Sequence, residues 1–180
     1  MGKALFEPPV ILLPDAGPLI TLAYADALDL LFKPGWKLQL VDMVWHEVIR
    51  NQTPTSEKIR LWGTSREVHI LPTLTFARYS SAQEIGKPKK SNFGEFAIQE
   101  AMNGFALAVP PITGIFLFED HRIARATFLL PDNCRKISTR AYLLFLEQHN
   151  WLDEGQTAAS IERAAVSNGR NFSQLRFPPE

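Results

Sequence analysis

The chain has 180 residues, of which 46% are hydrophobic and 11% aromatic, which is enough to bury the core of one compact domain and excludes intrinsic disorder. Its 19 basic and 19 acidic residues give a formal net charge of zero, which excludes a protein that holds nucleic acid through bulk positive charge alone. The single cysteine, Cys134, excludes an intramolecular disulfide and a thiolate metal cluster. Because the sequence also lacks a signal-peptide pattern and an apolar run long enough to span a bilayer, we expect a cytoplasmic protein with no membrane partner.

Strand-like and helix-like patterns alternate along the chain. A wholly apolar run over 10–13, ended by Pro14-Asp15-Ala16-Gly17, is typical of a strand buried on both faces. Leucines at helical spacing over 19–31 predict a helix that Lys33-Pro34-Gly35 ends. The later predicted elements are a strand over 37–41, a helix over 43–50 with Asp42 as its N-cap, a helix over 54–62, a strand over 68–71, a surface loop over 72–91, a helix over 92–103, a strand over 114–118, a helix over 120–128, a strand over 135–137, and helices over 139–149 and 156–166.

Short apolar strands that alternate with helices predict a mostly parallel sheet covered by helices on both faces. The expected fold class is therefore α/β, with one three-layer α/β/α domain over residues 1–152. The more polar residues 153–180 are expected to form a C-terminal extension, partly helical, that packs on or beside this domain.

Several acidic residues fall where such a sheet binds ligands. Ligands bind beyond the carboxyl ends of parallel strands, and Asp15 and the pair Glu119-Asp120 directly follow apolar strands. Glu47 and Glu95 lie in helices that follow other strands. Carboxylates gathered at one rim repel one another, and a hard divalent cation with oxygen ligands, Mg²⁺ or Mn²⁺, would relieve that repulsion. The alternative is that the strand-end acids only cap helices and the helical acids are solvated.

Basic residues accompany these acids. Between residues 121 and 140 there are five basic residues and one acidic residue, and Arg122 and Arg125 lie one helical turn apart. Lys89 and Lys90 come shortly before Glu95. We expect these four basic side chains to contact a polyanionic substrate, with a solvated basic face as the alternative.

Four short motifs resemble the successive motifs of PIN-domain proteins. They are ILLPDAGPLI around Asp15, VWHEV around Glu47, FGEFA around Glu95 and FLFEDHRIA around Asp120, and the resemblance extends over residues 10–151. It implies that these four acids are catalytic, that Asp15, Glu95 and Asp120 bind Mg²⁺ or Mn²⁺, and that Glu119 is an auxiliary acid. PIN domains often have Ser or Thr after the first Asp, whereas this chain has Ala16-Gly17, so a hydroxyl that would orient Asp15 is absent.

At this size the chain resembles the VapC-like endoribonucleases, the toxin half of type II toxin–antitoxin pairs. The resemblance implies hydrolysis of RNA phosphodiester bonds, a small antitoxin partner and a homodimer. One alternative is a catalytically inactive PIN-like module that binds a partner. Another is a phosphoacceptor signalling domain, which needs a pair of acids after its first strand, where this chain has Asp15 alone.

Overall fold

The computed structural model describes residues 8–86, 92–124 and 129–179, and the strands of these residues form one parallel sheet. The strands are β1 Val10–Pro14, β2 Lys37–Val41, β3 His69–Leu71, β4 Thr113–Phe118 and β5 Cys134–Ser138. Their order across the sheet is β3-β2-β1-β4-β5, and every pairing between neighbours is parallel. With helices flanking this sheet, the predicted α/β class is confirmed.

Helices flank the sheet and pack against one another. They are α1 Ala16–Tyr24, a 3-10 helix Leu28–Phe32, α2 Asp42–Ile49, α3 Pro54–Ser65, α4 Leu74–Glu84, α5 Phe93–Leu107, α6 His121–Ala124, α7 Thr139–Gln148 and α8 Ala158–Ser167. The C-terminal helix α8 contacts α1 and α7, while α5 contacts α4 and α2. None of the helices in these described ranges is long and apolar enough to cross a membrane.

The central strand β1 and its neighbour β4 are largely buried. Leu12, Leu13 and Phe116 have no exposed surface, and β1 pairs with β4 along its whole length, ending with Pro14 opposite Leu117. Helices cover both faces of a parallel sheet, so a strand in its centre needs apolar side chains at every position. This explains why the sequence of β1 is a continuous apolar run.

The strand order also shows where the chain changes direction. From β1 the connections run to β2 and β3 on one side, whereas β4 and β5 lie on the other side. Ligands bind in the crevice beyond the carboxyl ends of the two strands at such a switch point, here β1 and β4. Phosphoacceptor domains share the order 2-1-3-4-5 with flavodoxins, so the observed topology argues against that alternative.

The helix predicted over 19–31 is wrong as a single element. Helix α1 ends at Tyr24, Asp26 adopts a positive φ of 54°, and the chain continues as the 3-10 helix. The leucines of both segments are buried. The apolar spacing therefore continued through a turn that local sequence did not reveal.

The surface loop predicted over 72–91 is also wrong for its described part, because residues 74–84 form α4. Thr73 caps this helix with its hydroxyl, and the Glu100 carboxylate of α5 accepts backbone hydrogen bonds from Leu74 at 2.7 Å and Thr75 at 3.0 Å. A carboxylate at a helix N-terminus compensates its unpaired N–H groups. The start of α4 thus depends on a contact 26 residues away in sequence.

Asp42 is not the N-cap of α2 but its first residue, so that prediction is wrong as well. Its carboxylate accepts hydrogen bonds from the Thr73 backbone N–H and hydroxyl, both at 2.7 Å, and thereby links the start of α2 to the start of α4. The helix predicted over 120–128 is observed as α6, and residues 125–128 lie outside the described part of the chain. The remaining elements differ from the predictions by a few terminal residues.

Candidate functional site

A pocket of about 440 Å³ lies at the carboxyl edge of the sheet, where β1 and β4 end. Five carboxylates and two guanidinium groups line it. They belong to Asp15, Glu47, Glu95, Glu119, Asp120, Arg122 and Arg170. Acidic charge therefore exceeds basic charge among the described residues around this pocket.

Asp15 is fixed at the base of the pocket by the sheet. Its backbone N–H donates a hydrogen bond of 2.9 Å to the Leu117 carbonyl and so extends the pairing of β1 with β4. Asp15 occupies the N-cap position of α1, but its side chain makes no capping hydrogen bond. The simple capping interpretation therefore does not describe its side chain.

The surroundings of Asp15 disfavour its charged form. Burial raises the pKa of Asp15 to about 7, although the Ala16 N–H lowers it. Three neighbouring carboxylates raise it further, those of Glu47, Glu95 and Glu119. Asp15 is thus a carboxyl group whose negative charge the protein itself compensates only in part.

Gly94 keeps the space between two of these acids open. A Cβ atom at Gly94 would lie 3.4 Å from Glu47 Oε2 and 3.7 Å from Asp15 Oδ1. Glu47 is exposed on α2, as a solvated helix residue would be, yet its carboxylate borders the pocket. The absence of a side chain at Gly94 leaves both carboxylates facing the same space.

Glu95 and Asp120 form the side of the pocket near Arg122. Burial raises the pKa of Glu95, which the Arg122 charge lowers and the Asp120 charge raises. Asp120 accepts hydrogen bonds from the Arg122 backbone N–H at 2.8 Å and from the Arg122 guanidinium at 2.9 and 2.6 Å, and these bonds lower the pKa of Asp120. The capping interpretation therefore holds for Asp120, in addition to its place in the pocket.

Glu119 is buried and is held by a residue from the C-terminal segment. Its Oε2 accepts a hydrogen bond of 3.0 Å from Arg170 Nη2, while its Oε1 is buried with no hydrogen-bond partner among the described residues. A Cβ atom at Gly17 would lie 3.3 Å from the Glu119 Cβ, closer than most contacts of real Cβ atoms. The glycine after Ala16 thus makes room for Glu119.

The structure brings together the four acids that the sequence pointed to, Asp15, Glu47, Glu95 and Asp120, and places Glu119 and Arg122 beside them. The other predicted substrate contacts, Arg125, Lys89 and Lys90, lie outside the described residues. Sequence reasoning missed three pocket residues of the C-terminal segment, which are Arg170, Asn171 and Ser173. They stand in a polar stretch with no periodicity or motif, so no local signal pointed to them.

The donor chemistry of the pocket fits a hard divalent cation. All five acidic groups offer oxygen atoms, which Mg²⁺ and Mn²⁺ prefer, and no donor in the described part of the chain reaches Glu119 Oε1. As they stand, the described His, Cys, Asp and Glu side chains form no group of three that could hold a metal ion, and both oxygens of Asp120 are engaged by Arg122.

Compared with known proteins, the chain matches no protein-family model and no curated protein.

Proposed function

We propose that this chain is an endoribonuclease that depends on Mg²⁺ or Mn²⁺ and hydrolyses RNA phosphodiester bonds. The observation that carries the proposal is the gathering of five carboxylates from four separate segments in one pocket at the switch point of the sheet. Acidic residues that only cap helices or face solvent would not be expected to gather in one pocket. A site for a divalent cation explains why they gather, because a cation compensates the negative charges that the protein leaves uncompensated.

Three residues would hold the cation, namely Asp15, Glu95 and Asp120, and Glu47 would complete the acidic wall beside Asp15. When bound, the cation would activate a water molecule and stabilise negative charge during in-line attack on a phosphodiester. Both Asp120 oxygens accept hydrogen bonds from Arg122, so a cation at Asp120 competes with that guanidinium.

Arg122 is the described cation best placed to meet a phosphate. Its side chain is 68% exposed at the rim of the pocket. A polyanion approaching five carboxylates is repelled unless positive charge lies near them. Arg122 can supply that charge with the guanidinium donors that Asp120 does not occupy.

The choice of RNA, the toxin role, the small antitoxin partner and the homodimer rest on the resemblance to VapC-like endoribonucleases. The pocket itself supports phosphodiester hydrolysis in general, since a cation site does not distinguish RNA from DNA. The experiment must therefore compare both nucleic acids.

The test incubates the purified protein with labelled RNA and labelled single-stranded DNA, in Mn²⁺ or in chelator. RNA cleavage with Mn²⁺ is expected to stop with chelator and to fall at least ~100-fold in Asp15→Asn and Asp120→Asn, because each removes a charged ligand from the site. Asp132→Asn is the matched control, since Asp132 is exposed and outside the pocket. Circular dichroism checks that each variant is folded. Equal cleavage by folded Asp15→Asn would refute the assignment, and equal cleavage of DNA would refute the specificity for RNA.

The inactive, partner-binding alternative is favoured by one observation, the pairing of Asp120 with Arg122. A site that never binds a cation would keep this pair closed. Calorimetric titration of the wild type with Mn²⁺ near neutral pH decides between the two. Heat of binding that disappears in Asp15→Asn supports the nuclease, and no binding supports the inactive module.

A further inference from the structure

The C-terminal segment supplies a wall of the acidic pocket. Helix α8 contacts α1 and ends at Ser167 with Asn168 as its C-cap, and Gly169 adopts a φ of 99°, in the left-handed region that glycine tolerates best. The chain turns there, and the next residue, Arg170, enters the pocket. The positive φ of Gly169 thus aims Arg170 at the site.

The Arg170 guanidinium joins two sides of the pocket. Its Nε donates to the Thr21 hydroxyl at 2.9 Å, and its Nη2 donates to the Gly17 carbonyl at 3.4 Å and to Glu119 Oε2 at 3.0 Å. Thr21 and Gly17 belong to α1, which follows β1, whereas Glu119 follows β4. One side chain therefore connects the ends of the two switch-point strands.

Contacts that do not involve Arg170 also hold the C-terminal segment on the domain. Phe172 is buried, and Phe177 exchanges two hydrogen bonds with Ser138 at the end of β5, at 2.8 and 2.9 Å. The Phe177 ring also packs on Phe118, with centroids 5.8 Å apart. These contacts hold the segment on the domain, so docking it does not require a charged residue in the pocket.

We propose that Arg170 is a positioning residue of the acidic pocket and that it acts through Glu119. The proposal rests on the proposed cation-dependent function. Glu119 is buried beside Asp15, and a buried carboxylate without a partner must turn away or draw in water. Arg170 engages one Glu119 oxygen and thereby holds the carboxylate in the wall of the pocket. Partners that orient groups around a metal site typically change metal affinity 10- to 100-fold when they are removed.

The experiment measures Mn²⁺ affinity by calorimetry on the full chain. Arg170→Met is expected to weaken binding at least ~10-fold, and Arg170→Lys to restore part of it because lysine keeps one donor and the charge. The control is Arg163→Met on the exposed side of α8, which should bind Mn²⁺ like the wild type. Should Arg170→Met fail to fold, Thr21→Val removes the acceptor of Arg170 Nε with nearly the same shape and is expected to weaken binding severalfold.

A double-mutant cycle tests whether Arg170 acts through Glu119. Adding Arg170→Met to Glu119→Gln should change Mn²⁺ affinity less than about 2-fold, because the residue on which Arg170 acts is already neutral. If Arg170→Met weakens Mn²⁺ binding as much in Glu119→Gln as in the wild type, the proposal that Arg170 acts through Glu119 is overturned. Unchanged affinity in folded Arg170→Met would overturn the positioning role and leave the proposed function standing. No Mn²⁺ binding by the wild type would overturn both.

Discussion

Replacing Asp15 by asparagine should stabilise the fold at alkaline pH. The pKa of Asp15 is raised from 3.8 to about 7 in the folded state, chiefly by burial. Between these two values the folded state keeps a proton that the unfolded chain releases, so the free energy of unfolding falls as the pH rises. Each unit of pKa difference corresponds to about 1.4 kcal/mol. The full difference is therefore about 4 kcal/mol, reached above pH 7 and absent below about pH 4.

Asparagine has the size of a protonated aspartate and carries no charge to desolvate. The stability of Asp15→Asn minus that of the wild type should therefore be near zero around pH 4 and should rise to a few kcal/mol at pH 8. The assay is urea denaturation of both proteins in chelator at half-unit intervals of pH. Asp132→Asn provides the control for an exposed aspartate.

A pH-independent difference between Asp15→Asn and the wild type would refute this reasoning, because it would mean that Asp15 is not desolvated in the fold. Adding Mn²⁺ should reverse the order of stability at pH 8, since only the wild type gains from binding the cation. A site that costs stability when empty is typical of functional residues.

Four further substitutions test the packing around the site and in the core. Gly94→Ala should weaken Mn²⁺ binding severalfold in calorimetry, because its methyl group would contact the Asp15 and Glu47 carboxylates. Its control is Gly104→Ala in the same helix, whose methyl group would extend into open space. Gly104→Ala should leave the Mn²⁺ affinity unchanged and raise the free energy of unfolding by about 0.5–1 kcal/mol. Gly114→Ala should lower the free energy of unfolding in urea by about 1–3 kcal/mol, since its Cβ would clash with the Met102 sulfur; an unchanged midpoint would contradict the packing. Tyr142→Phe should cost about 1–2 kcal/mol in the same assay because it removes the buried hydrogen bond of 2.8 Å to a main-chain carbonyl.

The parts of the fold and site that the sequence predicted share one physical origin. A strand covered on both faces must be apolar at every position, so β1 and β4 were visible as uninterrupted runs. The first polar residue after such a run lies at the edge of the sheet, which is why Asp15, Glu119 and Asp120 could be placed correctly. An uninterrupted apolar run and the polar residue that ends it are local features of the sequence, so a few consecutive residues are enough to recognise them.

The parts that could not be predicted depend on distant contacts. Helix α4 has little apolar patterning, and its first turn is stabilised by Glu100 of another helix. Arg170 is 51 residues from Glu119 and stands in a polar segment, where nothing separates it from an exposed arginine. Side-chain pairs at such separations follow from the packed topology and leave no trace in local periodicity.

The contacts of Arg170 also set the order in which the pocket can form during protein synthesis. Its acceptors on α1 lie 149 and 153 residues earlier in the chain, so they leave the ribosome long before it does. The five acids of the pocket, which lie between residues 15 and 120, also precede Arg170 in the chain. The wall that holds Glu119 closes only after residue 170 has emerged. A nascent chain therefore carries all five acids before it carries the arginine that holds Glu119 in place.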